Sequence, residues 1–263
     1  MVFRTIASFP GAGAMLCRLL ISAWGVGLAF LANAVSFLAV ITALAAMRVM
    51  PTLKIRHDVG LLGGIDEGVR FIRSSSSVLW VLVTLAVLSV FAMNFNVFVP
   101  VLARAQLRLG ASGFGFLLAA QGAGALLGSL LVAGTGARGP RPAFLAWGAL
   151  LLCGGLIALS CVAHPAAAAV ELFVAGMGMV LFTATANSTV QLETPDSLRG
   201  RVMSIYALVF NGLAPFGALM MGAIIDAWGP QAGMFVGGAV GLAGTVAVRG
   251  LIRRFGAPAV VPG

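Results

Sequence analysis

Thr183, Asn187 and Gln191 lie four residues apart in a stretch that is otherwise almost wholly apolar. On a helix that spacing puts all three on one face. In hydrocarbon such a stripe is costly, so it marks a candidate site. Two uses fit the residue types: a polar lining for a substrate cavity, or hydrogen bonds to a neighbouring helix. Asn94 and Asn96 pose the same choice. Being two residues apart, they point to different sides of a helix, so at most one shares a cavity with the stripe. Gln121, Tyr206 and Asn211 are further cavity candidates, for which packing or inter-helix ties compete more strongly.

Glu171 is the acid set well inside an apolar stretch, whereas Asp226 sits at the end of one. A carboxyl withdrawn from water holds its proton more tightly and can load and unload it near neutral pH. Glu171 is therefore the candidate for proton coupling. Its depth supports a competing reading. About 9 Å from the outer end of its span, at 1.5 Å per residue, it can also snorkel to the interface or pair with a base. Cys17, Cys153 and Cys161 form no CxxC and have no ligand-like histidine spacing. They read as small buried hydrophobes, and no metal site is expected. Nucleotide loops, zincin helices and nucleophile elbows are also missing from the sequence. Neither a cofactor nor an enzymatic activity is expected.

The elements holding these residues follow from composition. Of 263 residues, 60% are hydrophobic and 9% charged, with a mean hydropathy of +1.08. A soluble domain carries about 25% charged residues, so the solvent of this surface is lipid. Apolar spans run over Val26–Arg48, Val78–Ala103, Ala111–Gly134, Ala143–Ala163, Ala166–Val190, Val202–Asp226 and Ala232–Ile252, with a weaker one at Thr5–Ser22. Each of the seven clear spans is long enough to cross, and backbone groups in lipid make them helices. The bases fall between spans. If Arg48–Ser77 is cytoplasmic, twelve bases lie on that side, against Arg104 and Arg108 on the other. Both termini then face the cytoplasm of a multi-pass plasma (inner) membrane protein. With no basic stripe interleaved with aromatics, nucleic acid is excluded as a partner.

Between the spans, LLGGIDEGVRFIRS repeats Leu61, Leu62, Ile65, Val69 and Ile72 at helical spacing, with Asp66, Glu67, Arg70 and Arg73 largely opposite. This predicts an amphipathic helix on the cytoplasmic surface, with Asp66 and Arg70 in the favoured order. Small residues four apart (Ala120, Gly124, Gly128; Ala218, Gly222; Gly233, Gly237, Gly241) predict close helix contacts within the chain, with dimerisation as the alternative. Gly212, Pro215 and Gly217 in NGLAPFG predict a hinge mid-span. In QLETPDSLRGRVMS, Thr194 is expected to cap a helix with Pro195 at its first position and Asp196 in its first turn. Arg199 and Arg201 hold that loop at the cytoplasmic surface and are candidates for gating contacts, with Asp196.

PDSLRGRVMSIYALVFNGLAPFGALMMGAIIDAWG resembles the loop between helices 10 and 11, and helix 11, of the major facilitator superfamily, in its branch of enterobactin-exporter-like drug and siderophore effluxers. WGVGLAFLANAVSFLAVITAL resembles helix 6, GGIDEGVRFIRSSSSVLWVL the surface helix leading into helix 7, and FNVFVPVLARAQLRLGASGFGFLLAAQGAGALLGSLL helices 7 and 8. The resemblance runs from about Ala12 to Arg249. It implies an all-α polytopic membrane fold: the C-terminal six-helix half of a major facilitator plus one or two preceding helices. That fold has two six-helix halves built of inverted repeats, so the first four helices are expected to be missing. The implied organisation is 1–48 as the end of the N-terminal half, 49–77 as a cytoplasmic linker with the surface helix, 78–252 as the C-terminal bundle, and 253–263 as a cytoplasmic tail. The resemblance also implies that Ala166–Val190, as helix 10, borders the central cavity. The implied function is proton-gradient-driven efflux of small amphipathic compounds. The alternative is a non-transporting remnant or an interaction subunit of a split transporter. Expected partners are the lipid bilayer, a small-molecule substrate, and a missing N-terminal half or a second copy.

Overall fold

The computed structural model describes residues 31, 34–43, 45–46, 61–134 and 141–255, and the chain divides into two units, Met1–Gly60 and Leu61–Gly263. In the first unit an apolar helix, α1 (Ala34–Ala43), falls inside the expected span Val26–Arg48. The expected span Thr5–Ser22 lies outside the described residues.

The second unit contains α2 (Leu61–Ser74), α3 (Ser76–Phe91), α4 (Phe95–Val101), α5 (Ala111–Ala133), α6 (Pro142–Ser160), α7 (Pro165–Glu193), α8 (Asp196–Ala207), α9 (Ala214–Trp228) and α10 (Pro230–Phe255). A π-helical turn at Leu102–Gln106 continues α4, and another at Leu208–Gly212 joins α8 to α9. Six stretches are long and apolar enough to cross a membrane: Ser76–Gln106, Ala111–Ala133, Pro142–Ser160, Pro165–Glu193, Asp196–Trp228 and Pro230–Leu251. With no strand among the described residues, the chain is an all-α polytopic membrane protein.

Local chemistry sets the ends of these helices. Proline opens α6, α7 and α10, where its missing N–H leaves no bond unmade. Ser75 caps α3, and His164 Nδ1 accepts from the Ala166 N–H at 3.2 Å to cap α7. Between α9 and α10 the chain turns through Gly229 at φ 87°, a conformation open to glycine and strained for other residues. The cap at the start of α8 differs from the expected one by a residue. Pro195 is the N-cap, while Thr194 is buried and donates its Oγ1 to the Val190 carbonyl at 2.5 Å, closing α7. The cause is Pro195, which disfavours helical geometry at the residue before it and so separates Thr194 from α8.

Packing is organised around α7. A Cβ on Gly124 of α5 would lie 1.9 Å from the Phe173 carbonyl oxygen, and one on Gly128 2.7 Å from that of Met177. On the other side of α7, a Cβ on Gly178 would meet the Leu152 nitrogen of α6 at 2.4 Å. Backbones therefore touch, which maximises the van der Waals contact that holds helices together in lipid. On α10, Gly237 seats on the Phe91 carbonyl, and Gly241 on the Cys153 side chain. These glycines pack within the chain, whereas Gly222 has open space beside it. Leu85, Leu88, Leu152, Leu156, Leu172 and Phe182 fill the core, while Phe116, Leu130, Phe216, Leu219 and Trp228 face outward, as lipid requires.

Candidate functional site: a polar ladder beside two interrupted spans

Two of the six spans are not continuous helices. The first breaks at Met93–Asn94, where the Met93 N–H reaches back five residues to the Leu88 carbonyl at 2.8 Å. Asn94 then restarts the chain as α4, its carbonyl accepting from Val97 and Phe98. A break inside hydrocarbon leaves backbone groups to be satisfied. Asn94 meets part of that need by donating its Nδ2 to the Val90 carbonyl at 2.7 Å, and the residue is buried. Asn96, two positions on, is exposed.

The second interruption is the π turn Leu208–Gly212. It precedes Pro215, which sits in the first turn of α9 and has no N–H to donate. Asn211 lies in this turn, exposed, and donates its Nδ2 to the Ala207 carbonyl at 3.2 Å. The two interruptions adjoin. A Cβ on Gly217 would lie 2.5 Å from the Val90 carbonyl oxygen and 3.0 Å from Asn94 Nδ2. Gly212 ends the π turn, and Gly217 is the point at which α9 seats on the broken span.

Beside this crossing runs the stripe on α7. Thr183 donates its Oγ1 to the Met179 carbonyl at 2.9 Å, and its own carbonyl accepts from Tyr206 Oη on α8 at 3.3 Å. The Tyr206 hydroxyl also faces the side chain of Asn187, whose Oδ1 accepts from Gln191 Nε2. Tyr206 stacks on Phe210 with ring centroids 6.3 Å apart. The Gln191 carbonyl in turn accepts from Arg199 Nε at 3.2 Å, and Arg199 pairs with Asp196 at 2.6 Å. Polar groups thus run from mid-span to the membrane surface.

At the surface end, Arg201 pairs with Glu67 of α2. Gly68 brings α2 close: a Cβ there would lie 3.2 Å from Ile205 Cδ1 and 3.5 Å from Arg201 Cβ. The Asp66–Arg70 pair forms on α2 at 2.7 Å. The face of α2 that docks is the one carrying Glu67, Gly68 and Ile72, while Ile65 of the apolar repeat stays 54% exposed. Arg201, with a side chain only 19% exposed, is what draws Glu67 inward.

Thr183, Asn187, Gln191 and Tyr206 are therefore brought together, as are Asn94 and Gly217. Gln121 is separate; it lies at the crossing of α5 and α7, where a Cβ on Gly176 would meet its carbonyl oxygen at 2.3 Å. Glu171 is also separate, half-buried near the start of α7, with no ion pair among the described residues. No group of His, Cys, Asp or Glu with metal-binding geometry occurs among the described residues. The tie made by Tyr206 and the docking by Glu67 and Gly68 were not legible from spacing. Their signals were indirect: Tyr206 is the single tyrosine of the chain, and Glu67 is left over once Asp66 pairs with Arg70.

An all-α set of six spans, two of them interrupted beside a polar stripe, is an architecture suited to moving a solute rather than to chemistry on it. Comparison with curated proteins gives no match. The family described as transmembrane secretion effector matches residues 9–257, nearly the whole chain, and the chain belongs to this family of the major facilitator superfamily.

Proposed function

We propose that this membrane transporter exports small amphipathic compounds, of the drug or siderophore kind, from the cytoplasm across the inner membrane at the expense of the proton gradient. The six described spans act as the C-terminal bundle of the major facilitator fold, with α2 and the Thr194–Arg201 turn on the cytoplasmic side. That bundle rocks against a second six-helix half or a second copy. The observation that carries the reading is the ladder Thr183–Asn187–Gln191 with Tyr206: amides and a phenol at membrane depth with no fixed charge among them. Such a lining offers hydrogen bonds to a substrate whose bulk is apolar, which suits shape-tolerant recognition. Asn94 and the π turn at Leu208–Gly212 supply the points at which the two adjoining spans can bend.

The test is reconstitution of the chain in liposomes carrying an imposed pH gradient, with uptake of a lipophilic fluorescent dye as the readout. The expected result is gradient-dependent movement that Asn187→Ala lowers by roughly tenfold, the loss of about one hydrogen bond to the substrate. Gradient-independent dye levels identical to empty liposomes would remove the export reading and leave an interaction subunit.

A further inference from the structure

At the end of the first span farthest from α2 lies a feature that the ladder does not use. The π turn Leu102–Gln106 is tied to the turn between α6 and α7 by Gln106 Nε2, which donates to the Val162 carbonyl at 2.6 Å. The chain then passes through Arg108 at φ 51°, the one non-glycine residue in left-handed geometry among the described residues. Strain of this kind is kept where the surroundings hold a loop in a particular shape. Leu109 and Gly110 of this loop border a half-open cavity of about 200 Å³, which is also lined by Pro100, Arg104, Ala111 and Phe114.

The lining is apolar apart from one guanidinium. The Arg104 guanidinium is exposed and makes no hydrogen bond or ion pair among the described residues, as is also true of Arg73, Arg108, Arg141 and Arg249, but it is the one that lines this cavity. We propose that the cavity seats the phosphodiester of a membrane phospholipid, bound by Arg104, with the glycerol and upper acyl chain against Pro100, Leu109 and Phe114. Three observations favour a lipid over a dissolved anion. The cavity sits where one span ends and the next begins, the depth of the headgroups. Its wall is mostly hydrocarbon, which a free anion gains nothing from meeting, while a lipid gains contact along its chain. Its charge is a guanidinium, whose planar donors match two phosphate oxygens. On the orientation proposed above this is the outer face, where bases are otherwise scarce, so Arg104 is not one of a general basic belt. Gln106 and Arg108 fix the course of the loop that brings Leu109 and Gly110 to the cavity.

Native mass spectrometry of the detergent-purified chain, titrated with dioleoylphosphatidylglycerol, tests this directly. One tightly held lipid is expected. Dioleoylglycerol, which has the same chains and no phosphate, is expected to bind at least tenfold more weakly to the unaltered protein. Arg104→Gln is expected to lose the same factor, while Arg73→Gln on α2 retains the lipid. Equal binding of dioleoylglycerol, or an unchanged affinity in Arg104→Gln, would overturn the proposal. Displacement of the lipid by millimolar inorganic phosphate alone would do so as well, by assigning the site to a free anion. The diacylglycerol comparison uses the unaltered chain, so it decides the matter even if the variant fails to fold.

Discussion

Gly124→Ala probes the contact on which α7 is seated. A Cβ at position 124 would lie 1.9 Å from the Phe173 carbonyl oxygen, 2.7 Å from its carbon and 3.0 Å from Cα. Ordinary contact begins at 3.4 Å, so α5 and α7 must part by about 1.5 Å at this point. The obstacle is backbone, which cannot rotate away as a side-chain tip would. Parting the helices also opens the neighbouring contacts of Gly128 with Met177 and of Gly176 with Gln121, which lie along the same interface. Overpacking of this kind costs about 1–3 kcal/mol. Against it stands the helix preference of alanine over glycine, worth about 1 kcal/mol. Gly154→Ala isolates that second contribution, because nothing lies within 4 Å of a Cβ there. Unfolding in mixed detergent micelles is therefore expected to show Gly124→Ala less stable than the unaltered chain by up to about 2 kcal/mol, the net of the two contributions. Gly154→Ala is expected to be equal or slightly more stable. If both alanines raise stability alike, the two backbones do not touch, and the placement of Thr183 and Asn187 by this interface is wrong.

Two further outcomes follow from the surface end and from the isolated acid. Glu67→Gln removes the charge facing Arg201, whose side chain is 19% exposed, and is expected to weaken the docking of α2 by about 1 kcal/mol after allowance for solvent around Glu67. Hydrogen exchange in Leu61–Ser74 should rise several-fold, and combining Glu67→Arg with Arg201→Glu should restore protection; unchanged exchange in the single variants would show that the pair does not hold the helix. Glu171→Gln is expected to abolish movement of substrate driven by a pH gradient in reconstituted liposomes while leaving substrate binding in place. An unaltered rate at the same gradient would make Glu171 a structural residue.

The apolar spans were legible because hydrocarbon imposes one requirement on every residue in them. Where five of the six begin and end followed to within about three residues, since proline and glycine punctuate them at Pro142, Pro165, Gly229 and Pro230, whereas the fifth starts at Asp196, six residues before the expected Val202. The amphipathic repeat likewise located α2. Periodicity did not reveal which face of α2 meets the bundle. That choice is made by Gly68, which lets α2 approach Ile205, and by Arg201, whose partner lies 134 positions away in the chain. Local patterns carry no information on such a pair. The break at Met93–Asn94 was hidden for a related reason. FAMNFNVF contains no glycine or proline, and its two asparagines read equally well as cavity or packing groups, so only the tertiary contact of Gly217 with Val90 shows why a break is tolerated there.

The same contrast explains how the site is divided. Residues four apart on one helix, Thr183, Asn187 and Gln191, were grouped by spacing, and the structure completes them with a group from another helix, Tyr206. Asn94 enters through a different mechanism: its amide repairs the backbone at the break and so has at most one donor left for any ligand. A substitution at Asn94 therefore changes the bend before it changes the lining. Asn187 is the better position at which to alter what the ladder recognises, because its loss leaves the backbone of α7 intact. The two asparagines, alike in type and similar in setting when read along the chain, should separate in their effects. Asn94→Ala acts on the conformation of the span and Asn187→Ala on substrate preference.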